Sequence, residues 1–160
     1  LAAGSCSWNT MRARHCNWVR LRDRKSGAEF RVLDIHLDHK SDDARREQMK
    51  MIVGECAQYA DGFPQIICGD FNSGIENAPV ACLRDAGWQE AYEAVHGPGE
   101  AGFTYHGFKG PDYRKKNARR IDFIFVRGNL QPVAAEILRD KVDGLYPSDH
   151  YFLMSDFIIQ

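Results

Sequence analysis

The sequence predicts a mixed α/β (α+β) domain, built on a mainly antiparallel sheet with helices on one face. Short segments in which apolar and polar residues alternate predict strands, and a longer segment with apolar residues at helical spacing predicts an amphipathic helix. The elements follow in the order strand, strand, helix, strand, helix and then several strands, which is typical of a layered structure. A length of 160 residues with 44% hydrophobic content fits one compact domain, residues 1–160.

The first two strands form a predicted β-hairpin. Apolar and polar residues roughly alternate over residues 15–22 and again over residues 29–37. The segment between them, residues 23–27, is polar and ends in glycine, which is typical of a hairpin turn. We therefore expect the two strands to pair with each other.

A helix of about four to five turns is predicted next. Ser41 offers an N-cap, and Asp42 and Asp43 place carboxylates at the positive end of the helix. The pattern ends at Asp61 and Gly62. Apolar side chains recur at helical spacing before that point, and they are Ala44, Met51, Ile52, Cys56 and Tyr59. We expect this apolar face to pack on the sheet.

The remaining elements are mostly strands. Residues 65–68 form a short apolar run that stops at a polar loop, and residues 79–86 predict a short helix. Residues 97–102 predict a flexible loop. Further strands are predicted at residues 121–126, 133–138 and 151–159.

Composition limits the classes of protein. A formal net charge of -1 gives no general attraction to nucleic acid. Residues 109–120 carry six basic side chains against Asp112, so this stretch is either a solvated loop or a segment that steers phosphate. No run approaches the roughly 18 apolar residues of a membrane span. Five cysteines without a Cys-x-x-Cys pair disfavour a zinc knuckle or a disulfide framework, so we expect a soluble, cytoplasmic protein.

Carboxylate, amide or imidazole groups lie at the ends of apolar strands in four short segments, which are residues 35–39, 69–72, 120–123 and 147–150. Asp122 is the most unusual of these groups, because it lies inside an apolar strand and shares a face with Ile124 and Val126. A buried carboxylate at that position needs a partner, and an imidazole would suffice.

These side chains indicate a particular chemistry. Carboxylate and amide oxygens suit Mg²⁺ or Mn²⁺, ions that stabilise charge on a phosphoryl group under attack by water. A histidine can then bind a phosphate oxygen while an aspartate orients the water. The set fits phosphoester hydrolysis. It also fits a hydrated metal-binding domain without turnover.

Together with residues 44–48, the four segments resemble, in order and spacing, the later motifs of the endonuclease/exonuclease/phosphatase superfamily, whose fold is deoxyribonuclease I-like. The resemblance covers essentially residues 15–160. It implies half or more of a deoxyribonuclease I-like sandwich. The function it implies is a metal-dependent phosphoester hydrolase, either a phosphodiesterase or nuclease, or a phosphatase. Its partners would be a phosphoester substrate, with nucleic acid among the candidates, and Mg²⁺ or Mn²⁺.

The resemblance also implies roles for individual residues. His36 would contact the scissile phosphate, and Asp70 would orient or deprotonate the attacking water. Asn72 would bind phosphate or the nucleophile beside it, and Asp149 would help to hold the metal.

A histidine and an aspartate complete the implied catalytic set. His150 would contact the phosphate as an acid or hydrogen-bond donor, and the carboxylate of Asp122 would orient it. This pairing supplies the partner that the strand argument requires. The implied substrate contacts are Thr104, His106 and Arg119.

The resemblance begins partway through the family domain. The amino-terminal portion, which supplies an asparagine and the principal metal-binding glutamate, has no counterpart before Trp8, so the chain is predicted to match the carboxyl-terminal half. Two hypotheses follow: an active hydrolase, or a catalytically impaired partial domain that binds a phosphorylated ligand or a partner protein. A sheet face left uncovered further predicts a homodimer or a partner chain that supplies the missing half.

Two other interpretations are disfavoured. A zinc hydrolase would use His36, Asp38, His39 and His150, but the period of a strand sends His36 and His39 to opposite faces. A nucleophilic Cys68 would lie in a buried apolar run without a neighbouring base in the sequence.

Overall fold

The computed structural model describes residues 1–9, 13–99, 102–113, 116 and 118–160 and has two sheets. The larger sheet comprises β1 (Ala2–Asn9), β2 (Ala13–Arg22), β3 (Glu29–His36), β4 (Gln65–Asp70), β5 (Gln89–Glu90) and β6 (Asp122–Arg127). The smaller sheet comprises β7 (Leu130–Leu138) and β8 (Phe152–Ile159). The helices are α1 (Asp42–Cys56), α2 (Ala78–Asp85) and α3 (Ala91–His96), with a 3₁₀ turn at Gly110–Asp112.

The predicted mixed and mainly antiparallel fold is confirmed. The larger sheet has the order β1-β2-β3-β4-β6-β5. Its one parallel pair is β3 with β4, which α1 connects, and its other pairs are antiparallel. A parallel pair needs such a crossover, because the chain must return to the same end of the sheet before the next strand begins.

The predicted hairpin is confirmed as β2 and β3. Its turn is held by Asp23, whose carboxylate accepts hydrogen bonds from the N–H groups of Lys25 at 3.2 Å and Ser26 at 2.8 Å. Gly27 has a φ of 77°, in the left-handed region that glycine adopts without steric cost. These features close the polar segment that separates the two strands.

Helix α1 begins where the sequence predicts but ends at Cys56, so the predicted Tyr59 lies beyond it, and its buried face also differs at Met51. The Ser41 hydroxyl accepts a hydrogen bond from the N–H of Ala44 at 3.2 Å and so caps the helix. Met51 was expected on the buried face, but 44% of it is exposed, and Met49 is in the core instead. The reason is the helical period, since Met49 is three residues before Ile52 and Met51 is only one.

A single hydrophobic core lies between one face of the larger sheet and the two helices α1 and α2. Phe71 anchors it, since its ring is 5.2 Å from that of Phe123 and 5.6 Å from that of Phe125. The wholly buried members from strands and helices include Leu33, Ile67, Met49, Ile52, Cys56, Val80 and Leu83. Helices therefore cover this face, as the sequence predicts, and the opposite face carries polar groups at its strand ends beside apolar residues such as Val126.

The opposite face of β1 and β2 is uncovered and carries mainly small or polar side chains. They are Ala3, Ser5, Ser7, His15, Asn17, Val19 and Leu21. We expected an extensive apolar patch here, and only Val19 and Leu21 are large and apolar. The homodimer or partner chain predicted from the sequence stays a prediction, and this part of the face does not supply the apolar interface that motivated it.

Several elements differ from the sequence-based expectation. The strand β1, the two-residue strand β5 and the helix α3 were not predicted. β1 is rich in Ala, Gly and Ser, which have low strand propensity, and it forms because β2 offers a long pairing edge. Of the expected loop at residues 97–102, positions 100 and 101 lie outside the described residues. Among the described helices, none combines the length and apolar character that crossing a bilayer requires.

Candidate active site

His36, Asp70 and Asp122 stand side by side across three neighbouring strands. His36 of β3 is opposite Asp70 of β4, and Asp70 is opposite Asp122 of β6. Residues directly opposite each other in a sheet point to the same face, so the three side chains share the face away from the helices. His36 Nε2 lies 3.6 Å from Asp70 Oδ2. The register therefore assembles groups that are far apart in sequence.

Close approach of the strands at this row depends on Gly69. Its φ is 133°, and a Cβ at this position would overlap the carbonyl oxygen of Ile35. Only glycine fits such a contact with a neighbouring backbone. Gly69 thus brings the residue that follows it, Asp70, beside the end of β3.

Asn72 connects the loop after β4 to both strands. It has a φ of 48°, which asparagine tolerates better than most residues. Its backbone N–H donates to Asp70 Oδ1 at 2.7 Å, and its side-chain Nδ2 donates to the Leu37 carbonyl oxygen at 3.0 Å. One oxygen of the Asp70 carboxylate is thereby held by the backbone, and its other oxygen, Oδ2, is the one near His36.

His150 joins the row through Asp122. The His150 Nδ1 atom lies 2.8 Å from Asp122 Oδ2, within hydrogen-bond distance. The backbone N–H of His150 donates to the Ser148 hydroxyl at 3.1 Å, and the Tyr105 ring packs edge-on against the imidazole at 5.1 Å. The imidazole that the strand argument requires beside Asp122 is therefore His150.

The pKa values of Asp70 and His150 are both raised, but for different reasons. Burial raises the pKa of the Asp70 carboxyl above its ordinary value, and the neighbouring carboxylate of Asp122 raises it further. The hydrogen bond to Asp122 raises the pKa of His150 above 6.5, more than burial lowers it. The site therefore holds a carboxylate that accepts a proton readily beside an imidazole that retains one.

The predicted substrate contacts Thr104 and His106 are fully buried and have partners within the protein. The Thr104 hydroxyl accepts hydrogen bonds from the N–H groups of Ile121 at 3.1 Å and Asp122 at 3.3 Å. His106 Nδ1 accepts one from the N–H of Gly110 at 3.2 Å, and burial lowers the pKa of this imidazole. These contacts support the start of β6, and a direct contact with substrate stays a prediction.

The third predicted contact, Arg119, is exposed and packs over the loop that follows β4. The position of a Cβ on Gly74 would be 2.7 Å from Arg119 Cδ, so the arginine stem covers this glycine. Arg119 is therefore near the loop of Asn72, and it is the one charged group of the predicted substrate contacts that solvent reaches. Of the basic stretch at residues 109–120, Arg114 and Lys115 lie outside the described residues.

The structure does not gather the residues of the zinc hypothesis. Asp38 is buried, and its Oδ1 accepts hydrogen bonds from the N–H groups of Lys40 at 2.7 Å and Ser41 at 2.8 Å. It thus shapes the turn into α1. His39 Nδ1 lies 2.9 Å from an Arg14 nitrogen. Burial raises the pKa of the Cys68 thiol to about 11, which disfavours the thiolate that a nucleophile needs.

Two carboxylates and an imidazole could hold a cation here. Asp70, Asp122 and His150 each offer a ligand atom, and these atoms lie within 4.8 Å of one another. The mutual repulsion that raises the pKa of Asp70 is the kind that a bound cation relieves, so the residues fit a divalent ion. Asp149, the predicted metal ligand, lines the same cavity without belonging to this group.

A buried ion pair that the sequence did not reveal supports the start of β6. Arg120 Nη1 lies 2.9 Å from Glu90 Oε1, and both side chains are 1% exposed. The guanidinium also lies over the rings of Tyr92 and Phe123, 5.0 and 4.8 Å from their centroids. The position of Arg120 two residues before Asp122 was visible in the sequence, whereas its partner 30 residues away was not.

The row of His36, Asp70 and Asp122 lines an open cavity of about 540 Å³ together with His150. Its walls come from β3, β4 and β6 on one side and from the segment before β8 on the other. The lining residues include Asp34, His36, Asp70, Asp122, Asp149 and His150. A volume of this size is typical of sites for small ligands.

The chain belongs to the Endonuclease/Exonuclease/phosphatase family. The profile of this family matches residues 8–150. The family resemblance found in the motifs is thus confirmed. A comparison with curated proteins found no match.

Solved structures share the fold. A functionally unknown conserved protein from Enterococcus faecalis V583 superposes with a TM-score of 0.86 at 23% identity, over 100% of this chain and 66% of that one. Mannosyl-6-phosphatase Bt3783 from Bacteroides thetaiotaomicron VPI-5482 gives 0.83 at 21% identity, over 99% and 66%. D. rerio TDP2, solved with a single-strand DNA product, gives 0.75 at 18% identity, over 97% and 67%. The chain thus spans about two thirds of the length of these relatives.

Proposed function

We propose that this protein is a phosphoester hydrolase that depends on a divalent metal and uses a water activated by Asp70. The observation that carries this proposal is the group formed by Asp70, Asp122 and His150 on the polar face of the sheet. Family membership supports the class of reaction. The solved structures support the fold in which this group is assembled.

Asp70 is suited to the role of base. Its raised pKa makes it a better proton acceptor than an ordinary carboxylate, and Asn72 holds one of its oxygens in place. Water attacks the phosphorus atom as Asp70 takes a proton from it, and the new P–O bond forms as the ester P–O bond breaks. The departing oxygen leaves as the alcohol after taking up a proton from solvent.

His150 is suited to binding the phosphate. Because its Nδ1 faces Asp122, Nε2 is the ring nitrogen that can donate to a phosphate oxygen. The raised pKa keeps this imidazole protonated over more of the neutral range, which strengthens the bond to an anion. His36, exposed beside Asp70, would bind a second phosphate oxygen.

Mg²⁺ or Mn²⁺ would be held by Asp149 together with the carboxylate of Asp122, which leaves Asp70 to act as the base. When bound, the ion would stabilise the negative charge that develops on the phosphoryl group. Carboxylate oxygens suit these hard cations better than they suit zinc, which favours this assignment.

Two classes of phosphoester are candidate substrates. The match to mannosyl-6-phosphatase favours a phosphomonoester, and the match to TDP2 with a single-strand DNA product favours nucleic acid. The second candidate function is a domain that binds a phosphorylated ligand without turnover.

The test is hydrolysis of bis(p-nitrophenyl) phosphate and p-nitrophenyl phosphate by the purified chain. Turnover is expected with Mg²⁺ or Mn²⁺ and is expected to disappear with chelator. Asp70→Asn removes the base and should lower kcat by roughly 10²–10⁴-fold, the usual contribution of general base catalysis.

Asp34→Asn is the matched control. Asp34 lines the same cavity but is outside the group of Asp70, Asp122 and His150, so its substitution should leave the rate within a few-fold of the original. Binding of phosphate without turnover would favour the second candidate. Equal rates for the unmodified chain and Asp70→Asn would reject the proposed base.

A further inference from the structure

A second, smaller cavity adjoins the catalytic one. Its volume is about 210 Å³. His150, Tyr151 and Phe152 line both cavities, so a ligand whose phosphate meets His150 would have this smaller space directly beside it.

The remaining walls of the smaller cavity are mainly hydrocarbon. Leu138, Val142 and Pro147 contribute aliphatic surface, and Asp140 is its one carboxylate. The phenol of Tyr146 pairs with that of Tyr151. A hydroxyl-rich group such as a sugar would leave its polar atoms without partners against such walls, whereas a hydrocarbon group would lose nothing.

A tight turn places Val142 at the rim of the smaller cavity and Leu145 at a neighbouring one. The N–H of Val142 donates to the Leu145 carbonyl at 2.9 Å, and the reverse bond measures 3.0 Å. Asp143 and Gly144 between them have φ values of 52° and 79°, as in a two-residue type I′ turn. Val142 is nevertheless 67% exposed and Leu145 73%.

Phe152, which is 50% exposed, continues the apolar rim toward the catalytic cavity. Large apolar side chains gathered at a rigid and solvent-exposed point commonly mark a binding surface. Because this surface is continuous with the catalytic cavity through Phe152, its occupant is the part of the same ligand that extends beyond the phosphate.

We infer that the smaller cavity is a subsite for a hydrocarbon group, alkyl or aryl, of the phosphoester, with Val142 and Phe152 at its entrance. The inference rests on the proposed function, because it takes His150 as the group that binds the phosphate. It assigns a binding site to the organic part of the substrate, which the proposed catalytic groups do not contact.

The test is calorimetric binding of methyl, ethyl, butyl and hexyl phosphate, with glycerol phosphate as the polar comparison, in the presence of Mn²⁺. Affinity should rise roughly fourfold for each added methylene until the cavity is full. Glycerol phosphate should bind no more tightly than methyl phosphate.

Val142→Asn and Leu145→Asn form a matched pair at the two ends of the turn. Leu145 lines a neighbouring cavity and not this one, and both substitutions are uncharged and keep the backbone hydrogen bonds. Val142→Asn should reduce the gain per methylene and leave methyl phosphate binding unchanged. Leu145→Asn should keep the gain.

The possible outcomes separate the two proposals. Binding that does not depend on chain length, or equal loss in the two variants, would overturn the subsite and leave the hydrolase proposal standing. Chain-length dependence in a protein that binds but does not turn over would support the subsite and reject hydrolysis. Absence of any binding, methyl phosphate included, would overturn both.

Discussion

At the scale of the residue, Asp122 shows how a local conflict points to function. An aspartate inside an apolar strand needs a partner, and His150 supplies it at 2.8 Å. The Asp122 carboxylate acts on both groups beside it, because it raises the pKa of Asp70 as well as that of His150. One side chain therefore adjusts both the proposed base and the proposed phosphate ligand.

The first residue-scale prediction concerns the pKa of His150. Asp122→Asn removes both the negative charge and the strong acceptor, so the pKa of His150 should fall from above 6.5 toward or below that value. NMR titration of the histidine ring in metal-free protein with chelator measures this directly. An unchanged pKa of His150 in the variant would contradict the proposed cause.

The raised pKa of His150 should also make the stability of the fold depend on pH. A group whose pKa is raised by folding contributes stability that is fully present below its ordinary pKa of 6.5 and is lost as the pH rises through the folded value. The difference in free energy of unfolding between the unmodified chain and Asp122→Asn should thus be largest just below pH 6.5, where His150 is protonated and the carboxylate is ionised, and should shrink as the pH rises through the folded pKa of His150. Urea unfolding at several pH values measures it.

At the scale of the element, the ends of strands hold the chemistry and other segments fix those ends. Thr104 binds the first backbone N–H groups of β6, and Arg120 precedes that strand in a buried pair with Glu90. Glu90 also caps α3, since its carboxylate accepts the N–H of Glu93 at 2.7 Å. A single carboxylate therefore joins β5, α3 and β6.

Glu90→Ala should destabilise the fold strongly. It leaves the Arg120 guanidinium buried without its charged partner, a change that costs about 3–5 kcal/mol in proteins. Chemical denaturation measures the free energy of unfolding. Glu93→Ala is the matched control, because Glu93 pairs with Arg84 near the surface and such pairs contribute about 1 kcal/mol or less. Similar losses in the two variants would contradict the special role of the buried pair.

At the scale of the whole molecule, one face of the larger sheet is committed to the core, and the other carries the polar groups at its strand ends beside apolar residues such as Val126. The proposed catalytic and metal-binding groups come from β3, β4, β6 and the segment before β8, so the proposed cation binding depends on all of them being folded together. A ligand that binds only the folded state stabilises it by mass action.

Mn²⁺ should therefore raise the melting temperature of the chain. At a concentration about one hundred times its Kd, the stabilisation is about 2.7 kcal/mol. For a protein of this size that corresponds to a rise of roughly 5–10 °C in Tm. Differential scanning calorimetry with Mn²⁺ and with chelator measures it.

Two variants assign the thermal shift to the proposed site. Asp149→Asn should reduce the shift because it removes a proposed ligand, and Asp34→Asn should keep it because Asp34 lines the same cavity but is not a proposed ligand. An unchanged thermal shift in Asp149→Asn would show that Asp149 is not a ligand of the metal.

Much of the fold and the candidate site follows from local sequence patterns. The hairpin, the cap of α1 at Ser41 and the strand that carries Asp122 depend on neighbouring residues, which one sequence displays directly. The polar groups at strand ends were visible for the same reason. β1 and α3 were missed because their own residues show no strong pattern, and pairing or packing with distant segments stabilises them.

The sequence by itself thus determined the class of fold, the family and the chemical types of the site residues. Only the tertiary structure decided which of them meet: register places His36, Asp70 and Asp122 in one row, and burial turns Thr104 and His106 inward. The physical reason is that strand alternation and helical period are local, whereas the pairing of β3, β4 and β6 and the desolvation of a side chain depend on contacts between residues far apart in the chain.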